Sequence, residues 1–330
     1  MMKHPTVLDV ARLAGVGAST VSRFLRGVPV RRDAARRIGE AVEQLGYTPD
    51  QTARALRAGR SRTIGIVLPK VSNVLFSEAT QHIEEEARKR GCSVILLTHQ
   101  DRKEQQKEHL LTLRRYRADG VVLVATPGTT LAEVESVLPR VPLVALDSDL
   151  SPKVDTVLLR NREAAAMATE HLLAHGYRRI DCLGAKPAVY SIRERIAGYS
   201  EAMCRAGLVP RQITPDNYEQ LRYELGVCLR GRERPEAIVS LSDFATLHVL
   251  TAFREAGLER AQWLPLIGFD DFSYAPLMDP ALTVIRQPIE KMVSYALSAL
   301  FRRIERNGEG EADRIALPGE LICRRSCGCV

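Results

Sequence analysis

The chain lacks what an export signal, a membrane span or a hydrolytic centre requires. No apolar run approaches the roughly 18 residues of a membrane helix, and the N-terminus carries no signal-like apolar core. The expectation is therefore a soluble, cytoplasmic protein. No Walker-type loop, HExxH, GxSxG or paired-carboxylate arrangement occurs, so neither phosphoryl transfer nor hydrolysis is expected, nor a cofactor. The run Gly15-Val-Gly17-Ala-Ser-Thr20 looks like a dinucleotide fingerprint, but it lacks the third glycine and follows a helical pattern. Seven histidines (His4, His82, His99, His109, His171, His175 and His248) are scattered and read as solvated or structural.

Cysteine is also sparse. Cys92, Cys182, Cys204 and Cys228 stand in apolar or helical surroundings, the pattern of reduced, packed thiols. Cys323, Cys327 and Cys329 cluster near the C-terminus, but a zinc site would need a further ligand from elsewhere. They read as a plain terminal strand and tail, with no metal.

What is present is unevenly distributed charge. The net charge is +7, and residues 1–60 hold eleven bases against five acids, leaving a surplus of one for the other 270 residues. A basic head on a near-neutral body is the footprint of a module that binds a polyanion. Within the head, Val7, Val10, Ala11 and Ala14 follow helical spacing behind a capping Thr6, and Gly15 marks the stop. Val21, Phe24 and Leu25 begin a second apolar set, and Ile38, Ala41, Val42 and Leu45 a third that closes at Gly46. Three short helices around one small core are the minimum scaffold of a helix-turn-helix, here at residues 6–26.

From Arg62 the period changes. Strand-length apolar runs fall at residues 63–68, 93–98, 121–125, 143–146, 156–159, 180–183, 237–241, 264–269 and 282–285, mostly separated by helical stretches. Glycines 91, 176, 207 and 257 stand where left-handed helix ends are expected. Alternation of this kind predicts parallel sheets covered on both faces, and nine strands predict two α/β lobes with a cleft between them. Between head and body, Thr48 and Pro49 suit the start of a short helix that needs an outside partner to hold it.

The run from Thr6 to Arg23, TVLDVARLAGVGASTVSR, resembles the head of the lactose-repressor (LacI) family of bacterial transcription regulators. Residues 47–56 resemble that family's hinge helix, and the body resembles its periplasmic-binding-protein-like, Rossmann-like effector domain. The segments Val21-Ser-Arg-Phe-Leu-Arg26 and Ile66-Val-Leu-Pro69 are most similar to the gluconate-repressor branch. The resemblance implies a head over 1–47, a hinge and linker over 48–60 and a core over 61–330. Within the core it implies an N-lobe of about 61–159 plus 288–318 and a C-lobe of about 160–287 plus 319–330.

The resemblance also implies roles. Ala18, Ser19 and Arg23 would face bases, with Arg23 as guanine reader or phosphate clamp, because its planar fork pairs bidentately. Thr6, Thr20, Ser22, Arg26, Arg54 and Arg57 would meet phosphates, and Tyr47 and Ala53 near the hinge would also contact DNA. Leu56 would wedge into the minor groove beside its copy from a partner, implying a homodimer on a near-palindromic operator. Arg26 and Asp50 replace asparagines usual in the family, and the turn at 27–30 is one residue short. In the core the resemblance points to Ser72, Asn73, Phe76, Asp147, Arg193, Arg195, Ser242 and Asp270 around a small-molecule effector. Arg160 stands where related chains often carry an acid; with Arg193 and Arg195 it suggests a cationic cleft and a sugar-acid effector.

Two other classes remain to be weighed. A periplasmic sugar-binding protein would need an export signal. A cytoplasmic sugar-acid-processing enzyme would need a catalytic constellation, and neither rival explains the basic head.

Overall fold

The computed structural model describes residues 5–25, 27–47, 60–232, 234–306 and 308–329. The chain divides into two compact units, Met1–Ser61 and Arg62–Val330.

The first unit holds helices α1 (Val7–Ala14), α2 (Ala18–Phe24) and α3 (Arg32–Leu45). Thr6 starts α1 with a reciprocal cap: its hydroxyl accepts from the Asp9 amide, and the Asp9 carboxylate accepts from the Thr6 amide at 2.9 Å. Gly15 and Gly46 close α1 and α3 in the left-handed region at φ 61° and 57°, where a side chain would be strained. Val10, Ala14, Val21, Ile38, Ala41 and Tyr47 form the buried core. The head is therefore held by one apolar stripe from each helix.

The second unit contains two six-stranded sheets. Its first half runs β1 (Thr63–Leu68), α4 (Val74–Lys89), β2 (Ser93–Thr98), α5 (Lys103–Arg115), β3 (Gly120–Leu123), α6 (Leu131–Val137), β4 (Leu143–Leu146) and β5 (Asp155–Leu159). The second half repeats the plan: α7 (Asn161–Ala174), β6 (Ile180–Leu183), α8 (Tyr190–Arg205), β7 (Arg211–Ile213), α9 (Tyr218–Arg230), β8 (Ala237–Ser240), α10 (Asp243–Glu255), β9 (Leu266–Phe269) and β10 (Thr283–Arg286). Helix α11 (Ile289–Glu305) and strand β11 (Arg314–Leu317) return to the first lobe, and β12 (Glu320–Ile322) to the second. The orders are β11-β5-β4-β3-β1-β2 and β12-β10-β9-β8-β6-β7, so the strands of the two lobes correspond one to one.

Burial explains this arrangement. The central strands are covered on both faces, as a parallel sheet requires. On α11, Met292, Val293, Ala296, Leu297, Leu300 and Ile304 make an apolar stripe that seals the first sheet. Asp155 at the start of β5 receives Arg303 Nε at 2.6 Å and the Asp313 amide at 2.8 Å, tying α11 and β11 to the sheet. In the second lobe α7 and α8 approach so closely that a Cβ on Gly198 would stand 2.1 Å from the Arg162 carbonyl oxygen. Only glycine fits there.

Sequence and structure differ at the edges. Strands β7 and β11 carry no continuous apolar run because they are short edge strands with partly exposed positions. Strand β12 pairs antiparallel with β10, because β11 runs parallel to β5 and ends at the cleft side, and the two residues before β12 let the chain enter the second sheet only from that side. Strand β3 begins at Gly120, where a Cβ would meet Leu300 and Ile304 at 2.9 Å. Among the described residues no helix is long and apolar enough to cross a membrane.

Candidate functional site

In the head, α2 divides cleanly by burial. Val21 is fully buried, and Ala18, Phe24 and Leu25 pack against the same core. The opposite face carries Ser19 and Arg23, four residues apart and both exposed, with half-buried Thr20 and Ser22 at its margins. Arg23 Nη2 donates to the Pro29 carbonyl at 3.3 Å, a long exposed bond that a better acceptor can replace.

Two of the residues expected at a DNA face also pack in the head core. Ala18 lies on the core side of α2, one turn before Val21, and Tyr47 is 7% exposed with its ring closing the head core. Tyr47 packs just beyond the end of α3, and Ala18, half-buried on α2, joins the same core. Thr6 is exposed, but its hydroxyl and amide are engaged with Asp9. Arg26 and the hinge residues Ala53, Arg54, Leu56 and Arg57 lie outside the described residues.

In the larger unit the carboxyl ends of both sheets open on one cleft of about 840 Å³, counted with its mouth, a volume suited to a small metabolite. Its walls come from the loops after β1, β2, β3 and β4 on one side and after β6, β8, β9 and β10 on the other. Asp147 follows β4 and Asp270 follows β9, equivalent positions in the two repeats. Both have left-handed backbones, φ 50° and 70°. Each donates its amide to the neighbouring strand, Asp147 to Val157 and Asp270 to Ile285. Aspartate is among the few residues that tolerate this conformation, and here it turns each carboxyl group into the cleft.

The two carboxylates are held differently. Asp270 Oδ1 accepts from Gln287 Nε2 at 2.6 Å. Asp147 Oδ2 accepts from Ser191 Oγ at 3.3 Å, while its Oδ1 is buried without a partner among the described residues. Burial pushes the Asp147 carboxyl up to about 6, with Arg195 opposing and Asp270 reinforcing the rise. An under-bonded carboxylate in a cleft is poised to accept a ligand hydroxyl.

Arg195 on α8 reaches the cleft almost fully buried. Its Nε donates to Asn161 Oδ1 at 2.7 Å, its Nη1 to the Leu241 carbonyl at 2.6 Å, and the guanidinium lies 4.1 Å from the centroid of Phe269. Phe76, Asn73 and Ser242 also line the cleft. Asn73 and Ser242 cap α4 and α10, and Asn73 Nδ2 crosses between the lobes to Asp243 Oδ1 at 2.7 Å. A second crossing is the ion pair of Lys186 with Asp101. These bonds hold the lobes together around the cleft.

Three expected cleft residues lie elsewhere. Ser72 is exposed and precedes the loop segment that turns inward. Arg160 is exposed, with Nε on the Ala316 carbonyl at 3.1 Å and Nη1 on Glu163 at 3.4 Å, because its side chain runs back along β11. Arg193 lies beside Glu194 and the Tyr190 ring, 59% exposed. The cationic cleft argued from Arg160 and Arg193 is therefore corrected: the cations that line it are Lys70, Lys186 and Arg195, matched by Asp101, Asp147 and Asp270. Lys70, Lys186, Tyr218 and Gln287 escaped sequence reasoning. Their shared signal is position, each one to a few residues beyond a strand end.

Comparison with known proteins places both units. Residues 6–50 match the family described as bacterial regulatory proteins, lacI family, and residues 169–327 match a periplasmic binding protein-like domain. The HTH-type transcriptional regulator PtxS of Pseudomonas putida is 32% identical over 335 aligned positions, covering 97% of this chain and 95% of that regulator. The HTH-type transcriptional repressor PurR of Photobacterium profundum is 27% identical over 97% of this chain and 98% of the repressor. Among solved structures, the lac repressor dimer bound to operator and the anti-inducer ONPF superposes with a TM-score of 0.84 at 23% identity, covering 98% of this chain and 99% of that one.

Proposed function

This chain belongs to the LacI family of bacterial regulatory proteins and is a transcriptional regulator, not an enzyme; from that premise we propose that it is a cytoplasmic repressor of sugar-acid utilisation genes. Two copies hold a near-palindromic operator, each with residues 1–47 as head, 48–60 as hinge and 61–330 as effector and dimerisation core. The exposed face of α2 supports this reading of the head. In this reading Ser19 and Arg23 on that face meet base edges, while Thr6, Thr20 and Ser22 meet phosphates. Arg54, Leu56 and Arg57 complete the grip through the hinge.

The observation that carries effector control is the pair Asp147 and Asp270, equivalent left-handed aspartates buried across one cleft. They would accept the hydroxyls of a polyhydroxylated ligand from both sides, and ligand in the cleft would shift the angle between lobes. The cation pair Lys70 and Arg195, with Lys70 Nζ 5.4 Å from the Phe244 ring centroid, would take the ligand's carboxylate. Effector binding and operator binding are then linked through the lobes and the hinge.

Isothermal titration of a panel of aldonic acids and their matched neutral sugars tests the ligand class. Tighter binding of an acid, selectively weakened by Lys70→Met, is the expected result. A clear preference for neutral sugars removes the sugar-acid assignment.

A further inference from the structure

The C-terminal tail and the end of α7 converge on a group of sulfur and imidazole donors far from the effector cleft. His171 in the last turn of α7 and His175 just beyond it lie four residues apart, on one side of the helix. Strand β12 brings the tail alongside. A tight turn at Arg325–Cys327 is followed by Gly328 at φ 98°, where a Cβ would stand 2.7 Å from the Tyr177 hydroxyl. That turn sets Cys327 and Cys329 on the same side, facing the two histidines. The donor atoms of His171, His175, Cys327 and Cys329 all lie within 4.8 Å of one another.

The separations bracket those around one small ion, so modest side-chain shifts would bring all four donors onto it. His171 Nε2 is 3.2 Å from Cys327 Sγ and 3.5 Å from Cys329 Sγ, and His175 Nε2 is 3.2 Å from Cys329 Sγ. A tetrahedral zinc, with Zn–S of about 2.3 Å and Zn–N of about 2.1 Å, spaces its donors roughly 3.4–3.8 Å apart. Two thiolates and two neutral imidazoles also balance the charge of a divalent ion, and this mixture of ligands selects zinc over harder cations. A supporting shell is present: Thr283 Oγ1 donates to Cys327 Sγ at 3.1 Å, and Cys323 Sγ lies 3.0 Å from Cys329 Sγ.

We infer that His171, His175, Cys327 and Cys329 form a structural zinc site that clamps the C-terminal tail onto α7, with Cys323 alongside. The clamp grips one end of a helix whose other end, at Asn161, holds the cleft arginine Arg195. Zinc binding thus stabilises the second lobe independently of the effector.

The full-length protein, purified under reducing conditions without chelator, is expected to carry one zinc per chain by elemental analysis. Exchange for Co(II) should give the intense visible bands of tetrahedral cobalt and a thiolate-to-cobalt charge-transfer band. Cys329→Ser and His171→Ala should each lose or shift these bands, whereas Cys204→Ser, at an exposed cysteine outside the cluster, should leave them intact. Chelation should lower the thermal midpoint of the wild type but not that of Cys329→Ser. Reduced wild-type protein that gives no cobalt band overturns the assignment, as does an unchanged band in Cys329→Ser. A Cys323–Cys329 disulfide whose reduction restores no metal binding overturns it too.

Discussion

Raising the salt from about 50 to about 200 mM is expected to weaken operator binding by roughly 10³-fold or more, the loss shown by proteins that contact roughly six to ten phosphates. The charge that drives this is localised, since residues 1–60 hold a surplus of six positive charges and the remaining 270 residues hold one. Arg12, Arg23, Arg31 and Arg32 are all exposed on the head. Arg36 is partly committed to Glu40 at 2.9 Å, so neutralising these bases one at a time should not give equal effects. Arg23→Ala should cost about tenfold to a hundredfold, concentrated at one operator position, because a bidentate base contact discriminates as well as binds. Fluorescence anisotropy over a salt series measures the slope. A flat slope would mean that phosphate contacts do not dominate.

The second large effect is expected at Asp147, where one substitution should move stability and ligand affinity in opposite directions. The Asp147 carboxyl is raised from 3.8 to about 6 in the folded protein. The fold therefore favours the protonated form, and ionisation in the cleft costs stability. That cost is absent below about pH 4, grows between pH 4 and pH 6, and is fully present above pH 6. Asp147→Asn removes it and keeps an acceptor for Ser191. The variant should be more stable than wild type at pH 7.5, by at most about 3 kcal/mol, and the gain should vanish near pH 4. Effector affinity should fall roughly tenfold to a hundredfold, the usual value of a hydrogen bond to a charged acceptor. For the wild type, affinity should decline as pH falls through 6, because the protonated carboxyl is a poorer acceptor. Thermal denaturation and calorimetric titration at pH 4, 6 and 7.5 separate the two effects. A variant that loses stability at pH 7.5 would place Asp147 in a structural rather than a ligand-binding role.

How much of this could be read from the sequence depends on which forces placed each residue. Asp147, Asp270 and Ser242 were legible because strands end in recognisable apolar runs, and the residue after a buried parallel strand faces the cleft in any such fold. Arg193 and Arg195 show the limit. Two residues apart on a helix point about 200° from one another, so only one can enter the cleft. The packing of α8 on α7 around Gly198 decides which, and no local pattern reveals it. Arg160 was misplaced because its side chain follows β11, an edge strand that carries no apolar run of its own. The histidine and cysteine cluster joins α7 to a tail about 150 residues away, and only the antiparallel pairing of β12 brings them together. Lys70 and Gln287 were missed because surface-type side chains beyond a strand end look alike in sequence whether they turn inward or out.

In the proposed function the cleft decides when DNA is held: among the described residues the lobes are joined by loops, crossing bonds such as Asn73 to Asp243, and three chain crossovers. The direct test is the affinity of the full-length protein for the DNA upstream of its own gene, measured at one salt concentration with and without a saturating sugar acid. The expected result is a change of roughly fivefold to a hundredfold on adding the effector, abolished in Asp147→Asn. An operator affinity that stays the same with the cleft demonstrably filled would contradict the account.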